Sequence, residues 1–410
     1  MASVKIKFQP DRQHGDNGGT IRGHESGHIV LTVTHNSLSR SLATDYRVYS
    51  SEWDRRVSRF IVPADSSRLK LISYYREELR RDVGRLRRII ISLENRNVDF
   101  SADDVVEAFR MFVVDYSLRA FMTHQIEFLK ERGRVRTAET YSSTLRSFMR
   151  FRCGRDLLMD CLTQEMMMRY ESYLRANGLT PNSTSFYMRI LRAVYNRAVE
   201  QGGVMQEMPF RKVYTGVATT RKRALTLADI RRILRLDFRT SPSLDYARDM
   251  FMLSFYMRGM SLIDMAHLKK CDLEDGHITY RRRKTGQCLC VAWTQEMQYI
   301  SDKYNISSSP YLFPLIPSGS KNIHTAYRNV SYRINRSLKT IGAMIGYGAP
   351  LTLYCARHSW ASIAQAKNIP VSVISAGMGH SSEKTTRIYL ASLDTSTVDR
   401  ANSIILKALR

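Results

Sequence analysis

Near the N-terminus apolar and polar residues alternate, Val4, Ile6 and Phe8 in one run and Ile29, Leu31 and Val33 in another, whereas from about residue 65 apolar side chains recur every three or four positions. A period of two makes a strand with one buried face, and a period near 3.6 makes an amphipathic helix. The chain is thereby held to a small β region followed by a longer, mainly helical part with small sheets. At 410 residues it is too long for one ordinary core, so two or three domains are expected.

Residues 1–100 form the first expected domain. To about residue 62 they read as β, with a turn at His35-Asn36-Ser37 before Leu38 to Leu42 and a glycine-rich loop from Gly15 to Gly27. A long helix is predicted from an N-cap at Asp65 to about Arg96. Its seam of Leu69, Ile72, Arg76, Leu79, Val83, Leu86, Ile90 and Leu93 suits another helix. The opposite face carries Arg68, Lys70, Arg80, Arg81, Arg85, Arg87 and Arg88, which serve either solvent or phosphate.

Residues 101–208 read as a bundle of four or five helices. Ser101 with Asp104 resembles a capping box, Thr137 opens a helix, and Thr180-Pro181 starts another that stops at Gly202-Gly203. Along this last helix Arg189, Arg192 and Arg197 lie among Tyr187, Tyr195 and Asn196, a mixture suited to phosphates and base edges. Residues 209–223, ending in Arg221, Lys222 and Arg223, lack periodicity and read as a basic linker able to follow a DNA backbone. The last domain, 224–410, opens on a cap at Leu225 to Asp229 and contains short β runs, Ile278 to Arg283 and Gln287 to Trp293, with turns at Asp275-Gly276 and Thr285-Gly286.

Sixty-three Lys plus Arg against 38 Asp plus Glu leave a formal charge of +25, which favours a polyanionic partner, nucleic acid first. No apolar run is long enough to span a membrane, and Met1-Ala2-Ser3-Val4-Lys5 lacks the core of a signal peptide, so a soluble, cytoplasmic chain is expected. The six cysteines show neither a CxxC pair nor a histidine at ligand spacing. They read as reduced, with Cys288 and Cys290 in a packed strand and no metal site.

Chemistry concentrates near the C-terminus. Arg357-His358 is followed by Gly377-Met378-Gly379-His380 and then, nine residues on, by Tyr389, while Lys284 sits at a predicted β-turn in Arg283-Lys284-Thr285-Gly286. Moving a phosphodiester onto a protein hydroxyl needs a nucleophile, cations on the non-bridging oxygens, an acid for the leaving 5′ oxygen and a preorganised site. Tyrosine keeps the bond energy in its ester, arginine matches two oxygens with its planar fork, and a lysine on a β-turn reaches the leaving group. No metal or cofactor is required.

These residues resemble the tyrosine recombinases, the phage-type integrases, and in style the integrases of Bacteroides-like mobile elements, which share the look of Arg258-Gly259-Met260-Ser261 and Tyr389-Leu390-Ala391-Ser392-Leu393. The resemblance implies an N-terminal arm-binding-like domain, a helical SAM-like core-binding domain and a mixed α+β catalytic domain. It implies that Tyr389 is the nucleophile, Arg357 the phosphate clamp, Lys284 the general acid and His380 a hydrogen-bond donor to the phosphate. His358 either positions the clamp or is structural. The implied reaction integrates and excises a mobile element, or inverts DNA, at attachment or inverted-repeat sites in double-stranded DNA. The implied assembly is a homotetramer on synapsed DNA, with bending proteins as possible accessories, and a final helix over Asp394 to Arg410 either crosses to a neighbour or packs on its own domain.

Two positions depart from the family pattern. Ser261, three residues before Asp264, stands where the first catalytic arginine is expected, and a serine supplies no charge. Arg258 is the nearer candidate to replace it, with Arg248 further back. Tyr354 stands where a histidine is common; its hydroxyl can donate but cannot shuttle protons near neutral pH. These departures keep open a catalytically weakened DNA-binding regulator of the same fold. A type IB topoisomerase shares the chemistry.

Overall fold

The computed structural model describes residues 2–11, 25–61, 67–96, 99–218, 224–317, 320 and 322–390, and the chain divides into two compact units, Met1–Ala218 and Thr219–Arg410. In the first unit β1 (Ser3–Pro10), β2 (Ser26–His35) and β3 (Leu38–Tyr49) form an antiparallel sheet in that order. The β2–β3 turn sits at Asn36 and Ser37, both left-handed at φ 47° and 65°, the two-residue geometry whose twist matches the strands. β3 runs well past the expected Leu42. A short hairpin follows, β4 (Trp53–Asp54) with β5 (Arg59–Phe60).

The long helix α1 (Leu69–Asn95) begins after Arg68, which makes no side-chain cap; Asp65 and the glycine-rich residues 12–24 lie outside the described residues. Its seam buries Ile72, Leu79, Val83, Leu86 and Ile90 against the sheet and against α2 (Ala102–Asp115), so the partner is sheet and helix together. The arginine face differs from expectation. Arg85 is 2% exposed, grips both oxygens of Asp160 at 2.8 and 2.6 Å, and donates to Asp82 at 2.5 Å. Arg68 pairs with Glu52, Arg80 with Glu77 and Arg81 with Glu78. Arg85 is therefore an internal strut, because a buried guanidinium persists only where carboxylates neutralise it, whereas Arg80 keeps 77% of its side chain exposed.

The bundle consists of α3 (Leu118–Glu131), α4 (Val135–Phe151), α5 (Gln164–Ala176) and α6 (Pro181–Glu200) around Met122, Phe148, Tyr170, Leu191 and Val194. The capping box at Ser101 and Asp104 heads α2, and Thr180 caps α6 with Pro181 in its first turn. α4 opens at Val135, before Thr137. The stretch expected as linker is packed as far as Ala218: Phe210 and Val213 enter the bundle core, Ser185 donates to the Gly216 carbonyl at 2.5 Å, and Asn182 bonds both backbone groups of Ala218.

In the second unit the capping box of Thr226 and Asp229 starts α7 (Leu227–Arg235). α8 (Pro242–Tyr256) buries Met250, Phe251, Met252 and Leu253 on successive faces of its second half, and so runs through the core. After α9 (Leu262–Met265) comes an antiparallel sheet of β6 (Leu273–Glu274), β7 (His277–Arg281) and β8 (Cys288–Ala292), with Asp275-Gly276 as the first turn. Leu289 and Val291 point into the core, whereas Cys288 and Cys290 are on the exposed face of β8; the packed-strand expectation chose the wrong side for the thiols. The remaining helices are α10 (Gln295–Tyr304), α11 (Ile323–Met344), α12 (Leu353–Ala366), α13 (Val371–Met378) and α14 (Glu383–Tyr389). The expected tail helix over Asp394 to Arg410 lies outside the described residues.

Candidate active site

α13 ends at Gly379, whose left-handed φ of 65° stops the helix and leaves its last carbonyls without intrahelical donors. Two arginines supply them. Arg357, in the second turn of α12 and 4% exposed, donates Nη2 to the Met378 carbonyl at 2.6 Å and Nη1 to the Gly259 carbonyl at 2.9 Å. Arg282, also buried, donates Nη1 to the Gly379 carbonyl at 2.6 Å. The negative end of the α13 dipole favours both cations. Gly259 packs so closely on α12 that a Cβ there would lie 2.5 Å from the Arg357 Cα.

His380 follows directly. It is 7% exposed; its Nε2 lies 2.8 Å from Arg357 Nη2 and its Nδ1 2.8 Å from Thr386 Oγ1 on α14. Burial, then the charges of Arg357, Arg282 and Lys284, push its pKa down to about 4, so the ring is neutral near pH 7. A guanidinium has no acceptor, so Nε2 accepts from Arg357 in this arrangement. Thr386 lies three residues before Tyr389, the last residue of α14. The Tyr389 side chain is outside the described residues.

Lys284 is exposed at the tip of the β7–β8 hairpin, which closes through Arg282 N–H to the Gln287 carbonyl and Gly286 N–H to the Arg282 carbonyl. Ser261 is the N-cap of α9 and donates its hydroxyl to Asp264 at 2.6 Å; the other oxygen of Asp264 accepts the Arg283 N–H at 3.0 Å. Ser261 and Asp264 thus tie the lysine hairpin to the turn that carries Gly259. Arg258 lies beyond the end of α8 in a left-handed conformation, φ 57°, with its side chain near Gly377. Its charge, with those of Arg357 and Arg282, acts on the half-buried Tyr280 hydroxyl, although burial dominates and raises that group to about 12. Arg248 is excluded as a replacement cation: Asp245, Asp249 and the Leu236 carbonyl take its guanidinium.

Tyr354 is 53% exposed and stacks edge-on against His358, one turn along α12, at 4.9 Å. On α6, Arg189 and Arg192 are exposed with Asn196 on one face, and Arg192 donates to Thr215 at 2.9 Å. Arg197 turns into the bundle instead and donates to the buried Gln125 of α3. Arg221, Lys222 and Arg223 lie outside the described residues.

Two features escaped the sequence reading. Arg282 continues the inward face of Ile278 and Tyr280, and the strand period of two would have pointed it inward. α11 contains no acidic residue across its length and exposes Arg328, Tyr332, Arg333, Arg336 and Lys339, a charge imbalance visible in the sequence. In the first unit, a cleft of about 1400 Å³ between β1, the β4–β5 hairpin and α1 has an apolar floor and is lined by Lys5, Lys7, Arg55, Arg59, Arg76, Arg80 and Arg87.

A model of the phage integrase SAM-like domain matches residues 117–215, and the model of the phage integrase family matches residues 223–396. The chain belongs to the phage integrase family of tyrosine recombinases and is a site-specific recombinase that cuts DNA with a tyrosine nucleophile. Tyrosine recombinase XerA of Pyrococcus furiosus is 26% identical over 228 residues, 54% of this chain and 74% of the relative. The fold resembles a lambda integrase dimer bound to a core site, with a TM-score of 0.53 and 14% identity over 88% of this chain and 91% of that one. It also resembles the Tn1549 transposon integrase in complex with a circular intermediate DNA, with a TM-score of 0.52 and 14% identity over 69% and 98%. Among the described residues no helix is long and apolar enough to cross a membrane.

Proposed function

We propose that Tyr389 attacks a DNA phosphodiester, forming a 3′-phosphotyrosyl ester and releasing a 5′-hydroxyl, and that a 5′-hydroxyl of another strand reverses the step. The observation that supports this most is the pair of buried guanidiniums, Arg357 and Arg282, held on the end of α13 beside His380 and one hydrogen bond from the helix that Tyr389 closes. Arg357 neutralises the non-bridging oxygens, and Lys284 on its exposed hairpin protonates the leaving 5′ oxygen as the new phosphorus–oxygen bond forms. Arg282, with Arg258, supplies the positive charge that Ser261 lacks. Ser261 acts through Asp264 on the position of the lysine hairpin. Tyr354 and His358 flank the clamp on α12 and contact the DNA backbone.

Arg189 and Arg192 on α6, the basic face of α11 and the Arg221 to Arg223 run hold core DNA, while the cleft of the first unit takes separate arm sites. Residues 1–100, 101–218 and 224–410 then serve as arm-binding, core-binding and catalytic domains. The partners are double-stranded attachment or inverted-repeat sites and three further copies of the chain, in line with a lambda integrase tetramer bound to a Holliday junction. The cytoplasmic task is integration and excision of a mobile element, or inversion.

A nicked suicide duplex built from repeats flanking the gene tests the reading. A covalent protein–DNA band that vanishes in Tyr389→Phe supports it. Binding without any covalent band from the unmodified chain, or a band that persists in Tyr389→Phe, would overturn it.

A further inference from the structure

A neutral imidazole carries one proton. Arg357 has only donors, so its contact at 2.8 Å puts a lone pair on His380 Nε2 and leaves the ring proton on Nδ1, where Thr386 Oγ1 at 2.8 Å accepts it. In that arrangement the ring has nothing to donate to a phosphate. A second proton is opposed by burial and by the charges of Arg357, Arg282 and Lys284. The remaining route is a change of tautomer, in which water gives one proton to Nε2 and takes one from Nδ1 as the site exchanges with solvent, with no change of charge. The partner of Nδ1 must then turn from acceptor to donor. A carbonyl or carboxylate cannot do this, but a hydroxyl can, and the resting partner of Nδ1 is the hydroxyl of the fully buried Thr386.

We propose that Thr386 is the positioning residue that lets His380 hold its proton on Nδ1 while Arg357 occupies Nε2, and on Nε2 when a phosphate draws Arg357 away. The proposal rests on the strand-cleavage reading with Arg357 on the phosphate, and adds His380 as a second phosphate donor once Arg357 has moved. It links the clamp to the nucleophile as well. Thr386 and Tyr389 are three residues apart on α14, one helical turn, so the ring finds its switchable partner only when the tyrosine helix is docked.

Thr386→Val keeps the side-chain shape and removes the hydroxyl, while Thr386→Ser restores it. On the nicked duplex, Thr386→Val is expected to slow single-turnover cleavage at saturating DNA by about tenfold or more, with duplex affinity unchanged and Thr386→Ser within about threefold of the unmodified chain. A Val variant as fast as the unmodified chain, or a Ser variant as slow as Val, overturns the proposal. Nitrogen-15 NMR of the full histidine-labelled chain, with His380 assigned through His380→Gln, supplies a readout independent of turnover. Protonation at Nδ1 in the chain alone, moving to Nε2 when the duplex binds a Tyr389→Phe background, supports it. A proton already on Nε2 without duplex, one that stays on Nδ1 with duplex, or a doubly protonated ring overturns it. Failure of the unmodified chain to form any covalent band counts against the strand-cleavage reading instead, and the ring tautomer of the chain alone still decides this one.

Discussion

Replacing His380 with glutamine should flatten the acid side of the stability curve of the second unit. The ring's pKa falls from 6.5 to about 4, through burial first and then the charges of Arg357, Arg282 and Lys284. The folded unit therefore binds this proton less tightly than the unfolded chain does. Its contribution is fully present above pH 6.5 and is lost as the pH falls toward 4. The whole span corresponds to about 3 kcal/mol, of which about 2 kcal/mol has gone by pH 5. Glutamine offers an acceptor to Arg357 and a donor to Thr386 without titrating. Urea unfolding at pH 7.5 and pH 5, followed by the fluorescence of Trp360, which packs beside Gly377 on α13, isolates this unit once Trp53 and Trp293 are replaced by phenylalanine. The stability lost between the two pH values should be about 2 kcal/mol smaller in His380→Gln. An equal loss in both proteins would refute the idea that His380 is held neutral by its surroundings.

Arg282→Met should slow strand cleavage about 100- to 1000-fold, the range for removing one transition-state donor, whereas Arg248→Met should leave the cleavage step within about threefold and lower stability instead, because Asp245 and Asp249 lose their guanidinium. Single-turnover cleavage and urea midpoints separate the two outcomes. Arg85→Met should destabilise the first unit by about 3–5 kcal/mol by stranding Asp160 and Asp82, and adding Asp160→Asn and Asp82→Asn should recover part of that loss in urea unfolding.

Local rules that act within a few residues were legible in advance. The alternation of Val4, Ile6 and Phe8, the turn at Asn36-Ser37, the capping boxes at Ser101 and Thr226 and the Thr180-Pro181 start of α6 all appear where their chemistry puts them. What misled was the direction of charged side chains. Arg85 and Arg197 look like surface cations in a helical pattern, yet each meets a partner far away in sequence, Asp160 and Gln125. A helical period tells which residues share a face. It does not tell whether a distant carboxylate turns that face inward.

The same division holds for the site. Arg357, His380, Lys284 and Tyr389 could be put forward as candidates from residue type and order, because phosphoryl transfer to a phenol calls for those functional groups. Sequence also marked the gap at Ser261. Which cation stands near Arg357 at the end of α13 is set by tertiary structure, since Arg282 and Gly379 are brought together only when the hairpin packs there. The proton position on His380 is decided in the same way, by a guanidinium on α12 at one nitrogen and a hydroxyl on α14 at the other. Sequence by itself determined the chemical parts and their helices and strands, through local dihedral, capping and periodicity preferences. Only the packed structure decided their charge states and pairings, because burial and long-range contacts set those.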